Sequence, residues 1–266
     1  MDIDRFWQLI DQARAAAGPR ADQAVRDVDL SDAEAEGDID FDEAEMQALI
    51  DAARSEFEAD DMADLEDDEE ELADEDDEDD LTDPIAVALF ELLVQLPAAE
   101  IADFDNTFED IRAQADTPEM TIAALLIEHG FLGDASFDDF RAGLVALGRS
   151  TFAAALANPD SLADHPVVKE IAAAPDPRWL GREDVLFVAS HAYAEVTGED
   201  AITFFDFAES LRETPPVEPA DDDLGDDWDV SDEAQTKARL PRLSELFYER
   251  SMRNRRRALD RLGLAP

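Results

Sequence analysis

The chain has no cysteine, which rules out disulfides, thiolate nucleophiles and Cys-ligated zinc. Lysine is almost missing too: Lys169 and Lys237 are the only two, and every other cationic side chain is arginine. Adaptation to high salt and a GC-rich genome both give that bias, and the second is the simpler explanation. Only three histidines occur, His129, His165 and His191, none near another in sequence, so a zinc site lacks enough partners. No Gly-rich phosphate loop, Gly-x-Ser-x-Gly or His-Glu-x-x-His is present, so hydrolase and nucleotide chemistry lack a motif. No segment alternates apolar and polar residues as a half-buried strand would. The longest apolar-rich run, Ile85 to Leu96, holds Glu91 and Gln95 and is too short to span a bilayer. Met1 leads into an amphipathic segment without a basic n-region, so the expectation is a cytoplasmic protein without a signal peptide or membrane contact.

What is abundant is negative charge. The formal net charge is −49 over 266 residues. Residues 58 to 83 hold 18 Asp or Glu and no Lys or Arg, a density that stays solvated and self-repelling. Lys237 to Arg261 reverses the sign, with nine basic residues against three acidic ones. Such a body repels phosphate backbones, so nucleic-acid binding is expected only through the basic tail. The hydrophobic fraction of 45% is enough for a real core.

Spacing predicts an all-α fold: a single irregular helical domain with an acidic disordered insertion. Ile3, Phe6, Trp7, Ile10 and Ala13 recur at helical intervals until Gly18-Pro19, giving an N-terminal helix over 1–18 with Trp7 in the core. Residues 19–57 read as a loop and a second helix, 38–57, whose Ala48–Arg54 weakly echoes Gln8–Arg14. An acidic linker covers 58–83. A helical core spans 84–212, punctuated by Pro84, Pro97, Thr117-Pro118, Gly130, Gly148, Asn158-Pro159 and Gly198. Ser136 is the expected cap of one helix, and Asp160 the start of another reaching Ala173. Thr203–Phe205 fits a short strand or the start of a helix ending at Leu211. Residues 213–230 form an acidic loop, and 231–266 a basic helical segment interrupted at Pro241.

With the helices placed, a resemblance emerges. The segments Leu96–Phe108 (LPAAEIADFDNTF), Phe137–Arg149 (FDDFRAGLVALGR) and Ala155–Ala163 (ALANPDSLA), with Phe6–Arg14 (FWQLIDQAR), resemble the bacterial DUF4240 family. Ala192–Gly198 (AYAEVTG) is similar to the family's later helix. The likeness covers the first 14 residues and about 84 to 200, and Asp138–Arg149 is its most specific part. The family's usual tryptophan-bearing helix is replaced by Thr121–Leu126, which has no Trp, and 19–83 looks like an insertion. The resemblance implies a helical domain of unknown function and brings no catalytic residues.

Candidate sites are correspondingly few. Asp38, Asp40 and Asp42 have the first spacing of a calcium loop, but Glu43 and Leu49 stand where Gly and Glu are needed; Asp221 and Asp223 fail likewise at Gly225. No metal site and no cofactor are expected. Asp138, Asp139, Arg141 and Arg149 could form a polar binding patch, with Arg149 pairing one of the aspartates. The simpler account is that they start a helix, with acids offsetting its dipole. His191 and Glu195 share a helix face, an arrangement also common in ordinary helices. Arg250, Arg253, Arg255, Arg256 and Arg257 make the one basic cluster, flanked by Leu243, Leu246, Phe247, Leu259 and Leu262 as an amphipathic helix docking on the body. That cluster suits an acidic partner, nucleic acid or the protein's own acidic surface. Three functions fit: a non-enzymatic binding or regulatory module with a protein partner, an enzyme with a site near Asp138, Arg149 and His191, or an acidic nucleic-acid mimic.

Overall fold

The computed structural model describes residues 1–26, 81–130, 132–212 and 232–261, all within one compact unit made of Met1–Asp27 and Leu81–Pro266. The second helix at 38–57, most of the acidic linker, both calcium-loop candidates and the 213–230 loop lie outside the described residues. Among the described residues the fold is all-α. The sole ladder contact is an isolated antiparallel bridge between Val25 and Trp179.

Helix α1 (Ile3–Ala17) starts where the Asp2 carboxylate accepts from the Asp4 and Arg5 amides. It ends at Gly18, whose φ of 59° suits a residue without a Cβ. Phe6, Trp7, Leu9, Ile10 and Ala13 form its buried stripe. Phe6 stacks on Phe104 at 5.0 Å, and Trp7 meets Phe152 at 5.6 Å. Such ring pairs contribute about 0.5–1.5 kcal/mol each beyond their burial.

Helix α2 (Pro84–Leu93) has proline in its first turn and Asp83 as its cap, accepting from the Ile85 and Ala86 amides. Asp83 is only 8% exposed and Leu81 packs on the core. The folded unit, which includes Met1–Asp27, therefore resumes inside the stretch read as acidic linker. Asp83 escapes the self-repulsion of that stretch because its carboxylate has a cation and two amides to satisfy it. Helices α3 (Ala98–Ala113) and α4 (Pro118–Ile127) follow, α3 burying Ile101, Phe104, Phe108 and Ile111 as its spacing requires. Thr117 caps α4 by accepting from the Met120 amide.

Helix α5 (Asp134–Ala146) starts earlier than the sequence suggests. Gly133 occupies the cap position, and Ser136 sits three residues in, its hydroxyl accepting from the Gly133 amide at 2.8 Å. Gly148 (φ 91°) breaks the chain before α6 (Arg149–Ala157). The expected helix from Asp160 to Ala173 is two pieces, a 3₁₀ segment Pro159–Asp164 and α7 (Pro166–Ala173). Pro166 has no N–H to continue the first piece, yet fits the first turn of the second.

Helix α8 (Glu183–Thr197) ends at left-handed Gly198 and is the hub, packing against α2, α3, α5 and the next helix. Its small residues Ala189, Ser190 and Ala192 are buried and let neighbours approach closely. Helix α9 (Ala201–Ser210) settles Thr203–Phe205 as helical, capped by Asp200. Helices α10 (Glu233–Arg239) and α11 (Pro241–Arg261) complete the unit, separated at Leu240-Pro241. Helix α11 packs on α4, α7 and the 3₁₀ segment. No helix among the described residues is long and apolar enough to cross a membrane.

Candidate functional site

Two polar regions stand out, one holding part of the sequence-derived patch and one that the sequence did not reveal. The first lies between α3 and the start of α5. Asp138 is paired at 2.6 Å with Arg112 from α3 and also with Arg141, one turn along its own helix. Arg141 reaches Asp116 at 3.0 Å and stacks over the Phe137 ring at 4.6 Å. Arg112 is paired with Glu109 as well. The result is an alternating carboxylate–guanidinium chain that ties two helices.

Two carboxyls beside this chain titrate unusually. Asp105 is 8% exposed, and its pKa is pushed up to about 7. Burial is the main cause and Glu109 adds to it, while Arg212 and Arg112 oppose it. Asp139 is raised to about 6 by burial and by the carboxylates of Glu183 and Asp138, with Arg112 opposing. Perturbed carboxyls of this kind are found at catalytic sites and in purely structural networks alike.

The five residues named from sequence are not gathered in one place. Asp138 and Arg141 are in contact, and Asp139 lies beside them. Arg149 instead pairs with Asp4 at the start of α1, both side chains largely exposed. Gly148 turns the chain between α5 and α6, so Arg149 faces α1 rather than the first turn of α5. Half-buried His191 lies on α8, eight residues beyond Glu183, or about 12 Å along the helix axis. No hydrogen bond or ion pair joins it to Asp138 or Asp139 among the described residues. No group of three or more His, Asp or Glu side chains able to hold a metal ion occurs among them either.

The second region surrounds residues 175–182, a strap fastened at nearly every position. Trp179 exchanges two backbone hydrogen bonds with Val25, each 2.9 Å. The Leu180 and Gly181 amides donate to the Glu128 carboxylate, which is 3% exposed. Arg182, 3% exposed, pairs with Asp83 and donates to the carbonyls of Ala21 and Gln23. Arg178 is paired with Glu170 and Asp176. The strap also runs close over α5: a Cβ on Gly143 would lie 2.0 Å from the Leu180 carbonyl oxygen.

Beside the strap is a cleft of about 350 Å³. It is lined by Pro175, Asp176, Pro177 and Trp179 of the strap, by Arg250, Arg253 and Asn254 of α11, and by His129. His129 is a non-glycine residue at positive φ (58°), and its Nε2 lies 2.8 Å from the Arg178 carbonyl oxygen. Its ring meets Trp179 edge to face at 4.9 Å. Asn254 donates to the His129 carbonyl. Helix α11 is seated by Leu243, Phe247, Tyr248 and Ser251, all buried, and Ser251 donates to the Leu126 carbonyl at 2.7 Å. The amphipathic docking read from Leu243 and Phe247 is thus present, and Leu246 remains 37% exposed.

Of the basic cluster, Arg250 is half-buried and donates to the Ile171 carbonyl, while Arg253, Arg255, Arg256 and Arg257 are exposed. Those four form no ion pair among the described residues. The earlier cations of this segment are engaged: Arg242 with Asp160 and Asp164, Lys237 with Glu233.

An all-helical domain with a basic closing helix is what the geometry defines. The family model described as "Protein of unknown function (DUF4240)" matches residues 49–195, more than half of the chain, and the protein belongs to this family. The match begins ahead of residue 84 and does not include the first 14 residues. Comparison with curated proteins gives no match, and neither does comparison with solved structures.

Proposed function

We propose that the protein is a non-enzymatic binding module that acts through electrostatic contacts with another protein. The observation behind this reading is the exposed arginine cluster near the end of α11. Arg253, Arg255, Arg256 and Arg257 stand in solvent on a chain of net charge −49, without ion pairs among the described residues. In such a chain nearby carboxylates would neutralise a basic cluster that had only to fold, as they do Arg242. A local cationic cluster on an acidic body speeds encounter with an acidic protein surface and loses that advantage as salt rises. Extended nucleic acid is disfavoured by repulsion from the rest of the surface.

The test is affinity capture with the full chain, then reconstitution from purified components. A protein partner should be recovered at low salt. Its affinity should fall at least about tenfold on Arg255→Glu/Arg256→Glu, with the thermal melt unchanged. Recovery of no protein, or of nucleic acid alone, rejects the reading.

The enzyme reading keeps one observation in its favour, the raised pKa values of Asp105 and Asp139 beside Asp138. A substrate-consumption screen in which Asp139→Asn abolishes turnover without lowering stability would support it. His191 and Arg149 have no part in that version.

A further inference from the structure

The cleft between the strap and α11 has a chemical character that the protein-binding reading does not use. Arg250 is partly buried, yet no carboxylate accompanies it: burial alone pushes its pKa down, with no neighbouring acid acting on it. A desolvated guanidinium without a counter-ion is unfavourable, and an acidic chain had many carboxylates to supply. Its Nε–H is buried and has no hydrogen-bond partner. The Trp179 indole Nε1–H is a second buried donor without a partner. Arg112, Arg141 and Arg182 also leave an Nε–H unpaired, but each of those guanidiniums has a carboxylate beside it, whereas Arg250 has none among the described residues; Arg250 and Trp179 line the same cleft. Arg253 and Asn254 add donors, while Pro175, Pro177 and the Trp179 ring supply flat apolar surface. The carboxylate that lines the cleft, Asp176, is already paired with Arg178. A volume of about 350 Å³ is within the range of small-ligand sites.

We propose that this cleft binds a small organic anion with a flat apolar body, a carboxylate or phosphate monoester, whose oxygens take the Arg250 and Arg253 guanidiniums. The anion supplies the missing counter-charge, and the body lies against the prolines and the indole ring. The site shares Arg253 with the protein-partner reading, but it turns on Arg250 and the Trp179 ring, whereas the partner test turns on Arg255 and Arg256, so either can fail alone.

The test uses the full chain labelled with ¹⁵N at the tryptophan indoles, with the Trp179 signal assigned by Trp179→Phe. Phenyl phosphate and benzoate are titrated separately, inorganic phosphate reports the charge alone, and benzyl alcohol reports the apolar body alone. The expected result is a saturable shift of the Trp179 indole resonance with phenyl phosphate, benzoate or both, which of them responds naming the headgroup. Inorganic phosphate should bind at least about tenfold more weakly, and benzyl alcohol should leave the signal in place. Arg250→Gln should weaken binding at least about tenfold, because a charge-assisted pair is lost. Since Arg250 also packs on Phe247 (5.4 Å), Arg253→Gln on the exposed side provides a second variant that does not threaten the fold and should weaken binding as well. Arg255→Glu/Arg256→Glu should leave it unchanged. No shift with either aromatic anion up to about 10 mM would overturn the proposal. So would a shift that Arg250→Gln and Arg253→Gln both leave intact, or inorganic phosphate binding as tightly as phenyl phosphate.

Discussion

Replacing Asp105 with Asn should change how stability depends on pH, in a direction that surface carboxylates cannot imitate. Asp105 lies on the buried face of α3 beside Phe104 and Phe108, and burial with Glu109 nearby moves its pKa from 3.8 to about 7. The folded protein therefore retains a proton that the unfolded chain releases near pH 4. Stability from this group is fully present below that pH and declines as pH rises from about 4 to about 7, staying flat above. The shift from 3.8 to about 7, at about 1.36 kcal/mol per unit, amounts to about 4 kcal/mol. Asparagine has no proton to lose, so Asp105→Asn should gain about 4 kcal/mol on the wild type between pH 4 and pH 8. Urea denaturation of both proteins across that range, plotted as a difference, cancels the many other carboxylates. A carboxyl ¹³C titration of Asp105 should show a midpoint near 7. A difference curve that moves by less than about 1 kcal/mol would refute the reasoning, because Asp105 would then ionise alike in both states.

Arg182→Met should lower stability by about 3–5 kcal/mol, since it strands the buried Asp83 carboxylate and two carbonyls. In thermal melts that is a fall of about 6–20 °C at the usual scale for this size. Adding Asp83→Asn should recover part of the loss, because an amide can still cap α2. A single variant melting within about 2 °C of wild type would mean that the pair contributes little. Gly130→Ala should loosen α11. Its Cβ would lie 2.3 Å from the Ser251 carbonyl oxygen, at a φ of 91° that L-residues avoid. Limited proteolysis should then cut within residues 233–261 well before the remaining helices, and equal resistance of variant and wild type would show that Ser251 yields without undocking.

Most helix boundaries were legible because local chemistry sets them. Pro84, Thr117-Pro118, Gly148, Gly198 and Pro241 each act through their own backbone, and the structure places a helix end at every one. Where the signal had two meanings it misled. Pro166 can follow a helix or open one, and Ser136 can cap at the first position or from three residues in. The site was far less legible. Arg149 has Asp4 as its partner, 145 residues away, and no spacing rule connects them. The strap is held by Glu128, Arg182 and Val25, long-range contacts between side chains or backbone that leave no periodic trace. Asp105 did leave one: an acid four residues after Ile101 and three before Phe108 falls on an apolar stripe, where burial and a raised pKa follow. The cleft combines residues from around 129, 175–179 and 250–254, so nothing local could have announced it.

The block that carries the family resemblance has a structural account at most of its positions. Phe140, Leu144 and Val145 fill the core, and Asp138 and Arg141 bind α5 to Arg112 and Asp116. Gly143 admits the strap at a distance no side chain would allow, and Gly148 takes the positive φ that starts α6. A sequence constrained in this way transmits a fold, and a fold by itself does not specify an activity. Within the block only Arg141 leaves a buried donor unpaired, its Nε–H, and that guanidinium is still neutralised by Asp138 and Asp116. Arg250 and Trp179 carry unpartnered buried donors, and the exposed arginines of α11 carry charge without acids. What sets Arg250 and the exposed arginines apart is cationic charge that no carboxylate among the described residues offsets, so these are where an anionic ligand or partner would supply the counter-charge.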